Sequence, residues 1–306
     1  MNIRLTPEGP LDVSATLARY RLWGDDPANR FDGETFRRVL RCDGRLVPYD
    51  VRWSGPPEAV RLDVHAAGAR GTRLADAIAR EVRSIFGLDF DLPAFYRMAK
   101  ADPALADLVE PLYGLRPTLA PTALEMLVGS ITAQQLNLTF AFTLRARLVR
   151  RYGTAVPSGG EAVYAFPTAE ALASARLRTL RTMQYSTSKA VAIRGVARAF
   201  RSGALDAEAL MSEPDARVIE RLTALYGLGR WTADWFLARC LGRGAVCPAG
   251  DLAVRKAFAH YCGRGRAASE DAIRRRARVW GEFQNLAIHY LLAGMRLARP
   301  ATGGGA

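Results

Sequence analysis

Lysine is almost missing from this chain. Lys100, Lys189 and Lys256 are the only three, so nearly all the positive charge sits on arginine and an amine nucleophile has few places to come from. Cysteine is also sparse: Cys42, Cys240, Cys247 and Cys262 form no close pair and no Cys-x-x-Cys motif. The histidines, His65, His260 and His289, show no metal-ligand spacing and read as packed or surface residues. No apolar run is long enough to span a membrane, and the start Met-Asn-Ile-Arg-Leu-Thr-Pro lacks the apolar stretch of a secretory signal. A cytoplasmic chain with reduced thiols and no membrane partner is the expectation.

What is plentiful is apolar surface and positive charge. At 306 residues and 49% hydrophobic, the chain can build two or three units with their own cores. Its net charge of +13 favours a polyanionic partner such as nucleic acid, the alternative being a basic surface that serves solubility alone.

Taken in order, 11–20, 34–42, 45–53 and 59–66 read as strands, with Asp43-Gly44 a two-residue hairpin signal and Ser54-Gly55-Pro56-Pro57 the next turn. From Thr72 to Phe86 the period changes, and Leu74, Ile78, Val82 and Ile85 share a helix face closed by Gly87. Residues 1–92 are therefore expected to form a small antiparallel sheet with one helix. Beyond Leu92-Pro93 no strand is expected. Helical blocks follow at about 93–100, 103–110, 121–134, 137–151, 168–175, 188–202, 206–211, 215–225, 231–241, 252–262, 270–280 and 283–293. Pro157-Ser158-Gly159-Gly160 reads as a surface loop and 301–306 as a disordered tail. The fold class is α+β, a sheet followed by an all-helical region at 93–300.

One stretch organises the rest. In Leu222–Asp251, Gly227-Leu228-Gly229 interrupts two helical patterns: Val218, Leu222 and Leu225 before it, Trp231, Trp235, Phe236 and Cys240 after it. Two glycines around one apolar residue let two helices fold back over a very short turn. The first amides of the second helix then have no partner within it, and with the helix dipole they make a site for a phosphate. Asp251 follows Pro248-Ala249-Gly250 and precedes the apolar pattern Leu252, Val254, Phe258, which suits an N-cap.

Leu225-Tyr226-Gly227-Leu228-Gly229-Arg230-Trp231-Thr232-Ala233 with Asp251 downstream resembles the helix-hairpin-helix element of the DNA glycosylase superfamily, most closely its alkylpurine branch, the 3-methyladenine DNA glycosylase II group. The likeness covers roughly 93–295 well and the N-terminal block more loosely. It implies two helical subdomains with the hairpin at 215–241, and double-stranded DNA containing damaged bases as partner of a monomeric protein. Gly227, Gly229, Arg230 and Thr232 would contact the DNA strand. A Na+ or K+ ion would sit on the carbonyls of Thr223, Leu225 and Leu228. Asp251 would stabilise an oxocarbenium-like sugar, a role compatible with capping. Gln135 and Leu136, in Gly129–Asn137, match the residues that fill the gap left by a displaced nucleotide; the other reading is a polar turn between core helices, with Asn137 an N-cap.

Trp231 and Trp235, four apart on one helix, either pack in a core or line the pocket for the base, as their positions do in that branch. Superfamily members that also cut the strand hold a lysine at the position of Trp231, so water is the expected nucleophile here. Lys256 has no nucleophilic role in the pattern, and Asp234 and Glu282 read as solvated charges. Trp280-Gly281-Glu282-Phe283 resembles a Trp-x-Pro-Trp segment of the branch, with Phe283 for the second tryptophan. Where another pocket tryptophan is usual this chain has Leu292, with Tyr290 nearby. Some relatives carry an iron–sulfur cluster on four closely spaced cysteines near the C-terminus; here only Cys262 follows Asp251, so no cluster is expected, and no cofactor for catalysis. The implied function is excision of alkylated purines without strand cleavage. The alternatives are a relative acting on hypoxanthine, uracil or oxidised guanine, and a DNA-binding protein without catalysis.

Overall fold

The computed structural model describes residues 1–298; the expected tail at 301–306 lies outside them. Strands β1 (Asn2–Leu5), β2 (Arg30–Phe31), β3 (Phe36–Cys42), β4 (Arg45–Ser54) and β5 (Arg61–His65) pair antiparallel in the order β1-β5-β4-β3-β2. The β3–β4 turn falls on Asp43 and Gly44, both with positive φ (48° and 73°), as a two-residue hairpin of the right twist requires. Alternate residues Val47, Tyr49 and Val51 face inward with Leu62 and Val64, and pack on Ile78, Val82 and Ile85 of a helix at Thr72–Ile85.

Residues 11–20 do not form a strand. They make two short helices, α1 (Val13–Leu17) and α2 (Arg19–Leu22), the helix at Thr72–Ile85 being α3. Asp12 caps α1 by accepting from the Ala15 amide at 2.8 Å, and Val13, Leu17 and Tyr20 bury one face. The cap and this spacing outweigh the partial alternation that suggested a strand. The sheet's first edge is instead β1, too short for its pattern to register.

The rest of the chain runs α4 (Leu92–Ala101), α5 (Ala106–Val109), α6 (Ala123–Ala133), α7 (Leu138–Tyr152), β6 (Thr154–Ser158), β7 (Glu161–Ala165), α8 (Ala169–Ala173), α9 (Leu177–Thr182), α10 (Thr187–Arg201), α11 (Ala207–Ser212), α12 (Asp215–Thr223), α13 (Arg230–Arg239), α14 (Leu252–Tyr261), α15 (Glu270–Ala277) and α16 (Gln284–Leu297). The expected helices are present, α9 being additional. The expected loop around Gly159-Gly160 is the turn of the β6–β7 hairpin, whose Val163 and Ala165 pack on Val39 beside Leu46 and Val156. Pro157 disguised it, since proline is tolerated in a strand only where its missing N–H is not needed. This hairpin covers part of the sheet face opposite α3, so the helical region and the N-terminal block share a core.

Buried charges make the same connection. Glu125 of α6 accepts from Arg38 of β3 at 2.8 Å and from Arg145 of α7 at 2.6 Å, while Arg38 also reaches Glu81 of α3 and Arg145 reaches Asp26. The two arginines hold the Glu125 carboxyl down to about 2 against the effect of burial. The helices themselves gather around two cores. One is built on α6, α7, α8, α10, α12 and α13, the other on α4, α5, α14, α15 and α16, and Trp235 packs against both. Helix α13 thus lies on the seam. Among the described residues no helix is long and apolar enough to cross a membrane.

Candidate active site at the hairpin

Helix α12 ends at Thr223 and α13 starts at Arg230, and the turn between them is closed by the Leu228 amide donating to the Leu225 carbonyl at 3.1 Å. Leu228 is buried in the first helical core and anchors the turn. Gly227 has φ +82°, and a Cβ there would stand 2.6 Å from the Cβ of Ala192 on α10, so both conformation and space demand glycine. Gly229 is the N-cap of α13, and no side chain satisfies the first-turn amides. Gly227, Gly229 and Arg230 are exposed on this end. Thr232 is not: it is fully buried, and its hydroxyl accepts from the Gln134 amide nitrogen at 3.3 Å, so it offers no surface to a strand.

The next loop delivers Asp251 to the seam. One carboxylate oxygen, Oδ1, accepts from the amides of Ala253 (2.8 Å) and Val254 (3.1 Å) and caps α14. The other, Oδ2, accepts from the indole N–H of Trp231 at 2.8 Å and of Trp235 at 3.1 Å. The expected one-turn spacing does place both rings on one face, but their N–H edges touch the acid. These direct hydrogen bonds leave no gap between the indole edges and the carboxylate. No cation pairs with Asp251 among the described residues, and Lys256 points outward on α14.

Asp234 is a correction. Expected as a solvated charge, it is 2% exposed and holds Arg230 Nε at 2.7 Å and Arg274 Nη2 at 2.8 Å. Arg274 also donates to the Cys247 carbonyl at 2.9 Å, so this ion pair ties α13 to α15 and to the loop leading into Asp251.

Tyr290 is a second correction. It is fully buried and donates to the carbonyls of Leu112 and Leu115, both at 3.1 Å, so it belongs to the core and cannot line an open pocket. Phe283 and Leu292 are half-buried and border the core that Trp235 touches, Phe283 with its ring 6.1 Å from that of Phe95. At the α6–α7 junction Gln135 is exposed with φ +55°, whereas Leu136 packs against the first helical core, which leaves Gln135 as the projecting residue. Asn137 caps α7 as expected, accepting from Phe140 at 2.8 Å.

Arg239 went unnoticed in the sequence. It is buried, with Cζ 5.3 Å from the Trp235 ring centroid, and it bonds to Asn285 Oδ1 and, at 3.3 Å, to His289 Nδ1. Burial lowers the Arg239 pKa to about 9, and burial together with the Arg239 charge pushes His289 well below its usual value. The spacings Trp235–Arg239 and Asn285–His289, each one helical turn, were the available signal.

Among the described residues, no group of three or more His, Cys, Asp or Glu side chains is placed to hold a metal ion. The carbonyls of Thr223, Leu225 and Leu228 lie at the C-terminal end of α12 and the turn beyond, an uncharged oxygen set at the negative end of a helix dipole. That chemistry fits a monovalent cation.

Residues 128–282 match the HhH-GPD superfamily of base excision DNA repair proteins. The chain belongs to that superfamily. This HhH-GPD chain is 32% identical over 216 residues to the DNA-3-methyladenine glycosylase of Bacillus subtilis, covering 71% of each. The 3-methyladenine DNA glycosylase of Archaeoglobus fulgidus superposes with a TM-score of 0.87 at 27% identity, over 97% of this HhH-GPD chain and 99% of that one. A Schizosaccharomyces pombe 3-methyladenine DNA glycosylase in complex with abasic DNA shares the fold, with a TM-score of 0.59 over 67% of this chain and 98% of that one at 24% identity.

Proposed function

We propose that this chain is a monofunctional DNA N-glycosylase that removes alkylated purines, 3-methyladenine foremost, from duplex DNA and leaves an abasic site. One observation carries the reading. A carboxylate held only by neutral N–H donors stands one loop from a helix end whose amides are open. The amides of Gly227 and Gly229 and the side chain of Arg230 grip the strand, and the Thr223, Leu225 and Leu228 carbonyls would hold a monovalent cation, which would supply positive charge towards a phosphate. The target nucleotide rotates out of the stack, which costs a few kcal/mol, and the Gln135 tip fills the gap.

The bond between the sugar and the base nitrogen then breaks, with both electrons going to the base. In an alkylated purine they neutralise an existing positive charge, so no general acid is required. The sugar is left oxocarbenium-like, and Asp251 stabilises it electrostatically. The Trp231 and Trp235 ring faces are electron-rich surfaces for a cationic base. Water attacks the sugar carbon, because Trp231 stands where a lysine would be needed for a Schiff base. The protein acts as a monomer on cytoplasmic, nucleoid DNA.

The test is base release from duplexes carrying methylated purines, hypoxanthine, uracil or 8-oxoguanine, run with and without borohydride. Methylated purines should be released fastest and no covalent adduct should form. Release of a different lesion alone would move the substrate, an adduct would end the monofunctional assignment, and no release from any duplex would leave a DNA-binding protein without catalysis.

A further inference from the structure

Of the three lysines, Lys100 and Lys256 are exposed and Lys189 is half-buried. Its ammonium reaches the α6–α7 junction and donates to the carbonyls of Thr132 at 2.8 Å and Gln134 at 2.7 Å. Those oxygens have no acceptor role inside α6, which ends at Ala133, and the lysine closes that end in place of a glycine cap. Burial lowers the Lys189 pKa.

Both bonds fall on the turn immediately before Gln135, which is exposed. Gln134 has φ −50° and ψ 127°, and Gln135 follows with φ +55°, a left-handed conformation that a non-glycine residue keeps only when its surroundings hold it. From the same residue the Gln134 side chain runs the other way, its Nε2 donating to the Gly227 carbonyl at 2.9 Å and to Thr232 Oγ1 at 3.3 Å. Lys189 and Ala192 are three apart on α10, hence on one face. The first holds the junction and the second is the residue against which Gly227 packs. One face of α10 therefore sets the separation between the Gln135 tip and the hairpin.

We propose that Lys189 is a positioning residue that fixes the reach of Gln135 from the hairpin, so that gripping the strand and filling the gap occur in one geometry. This rests on the reading of Gln135 as the gap-filling residue. Lys189 touches neither base nor sugar; it acts through the backbone of the junction.

The experiment compares Lys189→Met, which keeps the apolar stem and removes the donors, with Lys189→Arg, Gln134→Ala, Gln135→Ala and the double variant Lys189→Met/Gln135→Ala. Each is assayed for kcat and KM on methylated duplex and for the fluorescence of 2-aminopurine placed beside a tetrahydrofuran abasic analogue. Lys189→Met should lower kcat roughly 10- to 100-fold, the scale of a misplacement near 1 Å, with KM little changed. It should also reduce the 2-aminopurine response, and Lys189→Arg should restore both in part. In the Gln135→Ala background the further loss should shrink to less than about threefold, because coupled residues are not additive.

If Gln135→Ala alone leaves kcat and fluorescence at wild-type levels, the gap-filling reading has failed and the proposal with it. If Gln135→Ala is harmful but Lys189→Met is not, or the two losses multiply, only the role of Lys189 is overturned. Should Lys189→Met not fold, Gln134→Ala cuts the same strap at its hairpin end and must show the same fluorescence loss and non-additivity, or the proposal falls.

Discussion

Asp234 and Asp251 stand on either side of one loop and have opposite surroundings. Asp234 is buried between two guanidinium groups, so its charge is cancelled where it sits and its effect is mechanical: it clamps α13 to α15. Asp251 is half-exposed and receives four N–H groups, two from backbone amides and two from indoles, none of which carries charge. Neutral donors orient a carboxylate without cancelling its field. The proposed role of Asp251, stabilising a cationic sugar, needs that second environment. An arginine partner would hold it equally well and leave it with little to offer. Glu125, between Arg38 and Arg145, extends the first pattern to the contact between sheet and helices.

The sharpest way to break this contrast is Asp251→Asn. Asparagine caps helices about as well as aspartate, so the fold should persist and abasic duplex should still bind. Release of methylated base should fall about 1000-fold, the upper range for loss of a preorganised electrostatic group. Retained activity in a base-release assay would remove Asp251 from the chemistry and leave it a cap that two indoles happen to touch.

Glu125→Gln should do the reverse. It leaves Arg38 and Arg145 buried and under-compensated, a change that typically costs about 3–5 kcal/mol, while kcat of the folded protein stays near wild type. The same site predicts an acid dependence. A carboxyl held at about 2 when folded, against 4.5 otherwise, contributes stability that is complete above 4.5 and is lost as pH falls towards 2. Glu81, which burial raises, works in the opposite direction and makes the slope shallower. Denaturant midpoints measured from pH 6 to pH 2.5 should fall for wild type and flatten in Glu125→Gln.

Asp234→Asn tests the middle of the comparison. Arg230 and Arg274 are partly exposed and can regain water, so the loss should be smaller, about 1–3 kcal/mol. If this variant loses base release as severely as Asp251→Asn while its melting temperature holds, the division of labour between the two acids is wrong.

The positions of these residues were largely legible, and their environments were not. Gly227-Leu228-Gly229 announced the turn because only a few residue types adopt its backbone, and the periodicity of α12 and α13 bounded it. The cap at Asp251 was visible in the apolar pattern that follows it. Burial of Asp234 was hidden, since Arg274 lies forty residues on and no local pattern pairs them. Tyr290 failed for a related reason: its partners, the carbonyls of Leu112 and Leu115, come from the far side of the second core. Arg239 was hidden because a charged residue on a helix reads as exposed until its neighbours are known. Elsewhere in the chain, β6–β7 and α1 show local signals, a proline and a helix cap, that compete with strand alternation in opposite directions.

The finest test concerns the indoles. Trp231→Phe keeps an aromatic face at that position and removes one of the two N–H groups on Oδ2 of Asp251. A hydrogen bond to a charged group is worth about 1.5–3 kcal/mol, but here the Trp235 N–H remains at 3.1 Å and solvent can replace the lost donor. A fall in kcat of roughly tenfold or less is expected, with little change in KM for methylated duplex. If the indole acts by fixing the charged carboxylate, the loss should nearly vanish when Trp231→Phe is combined with Asp251→Asn, because the donor then has no charge to hold. If it acts only by stacking on the base, Trp231→Phe should shift the ranking of lesions and show no coupling to Asp251. The cycle therefore separates the two functions of one side chain, and tells whether neutral donors around Asp251 are part of the catalytic design or a consequence of packing.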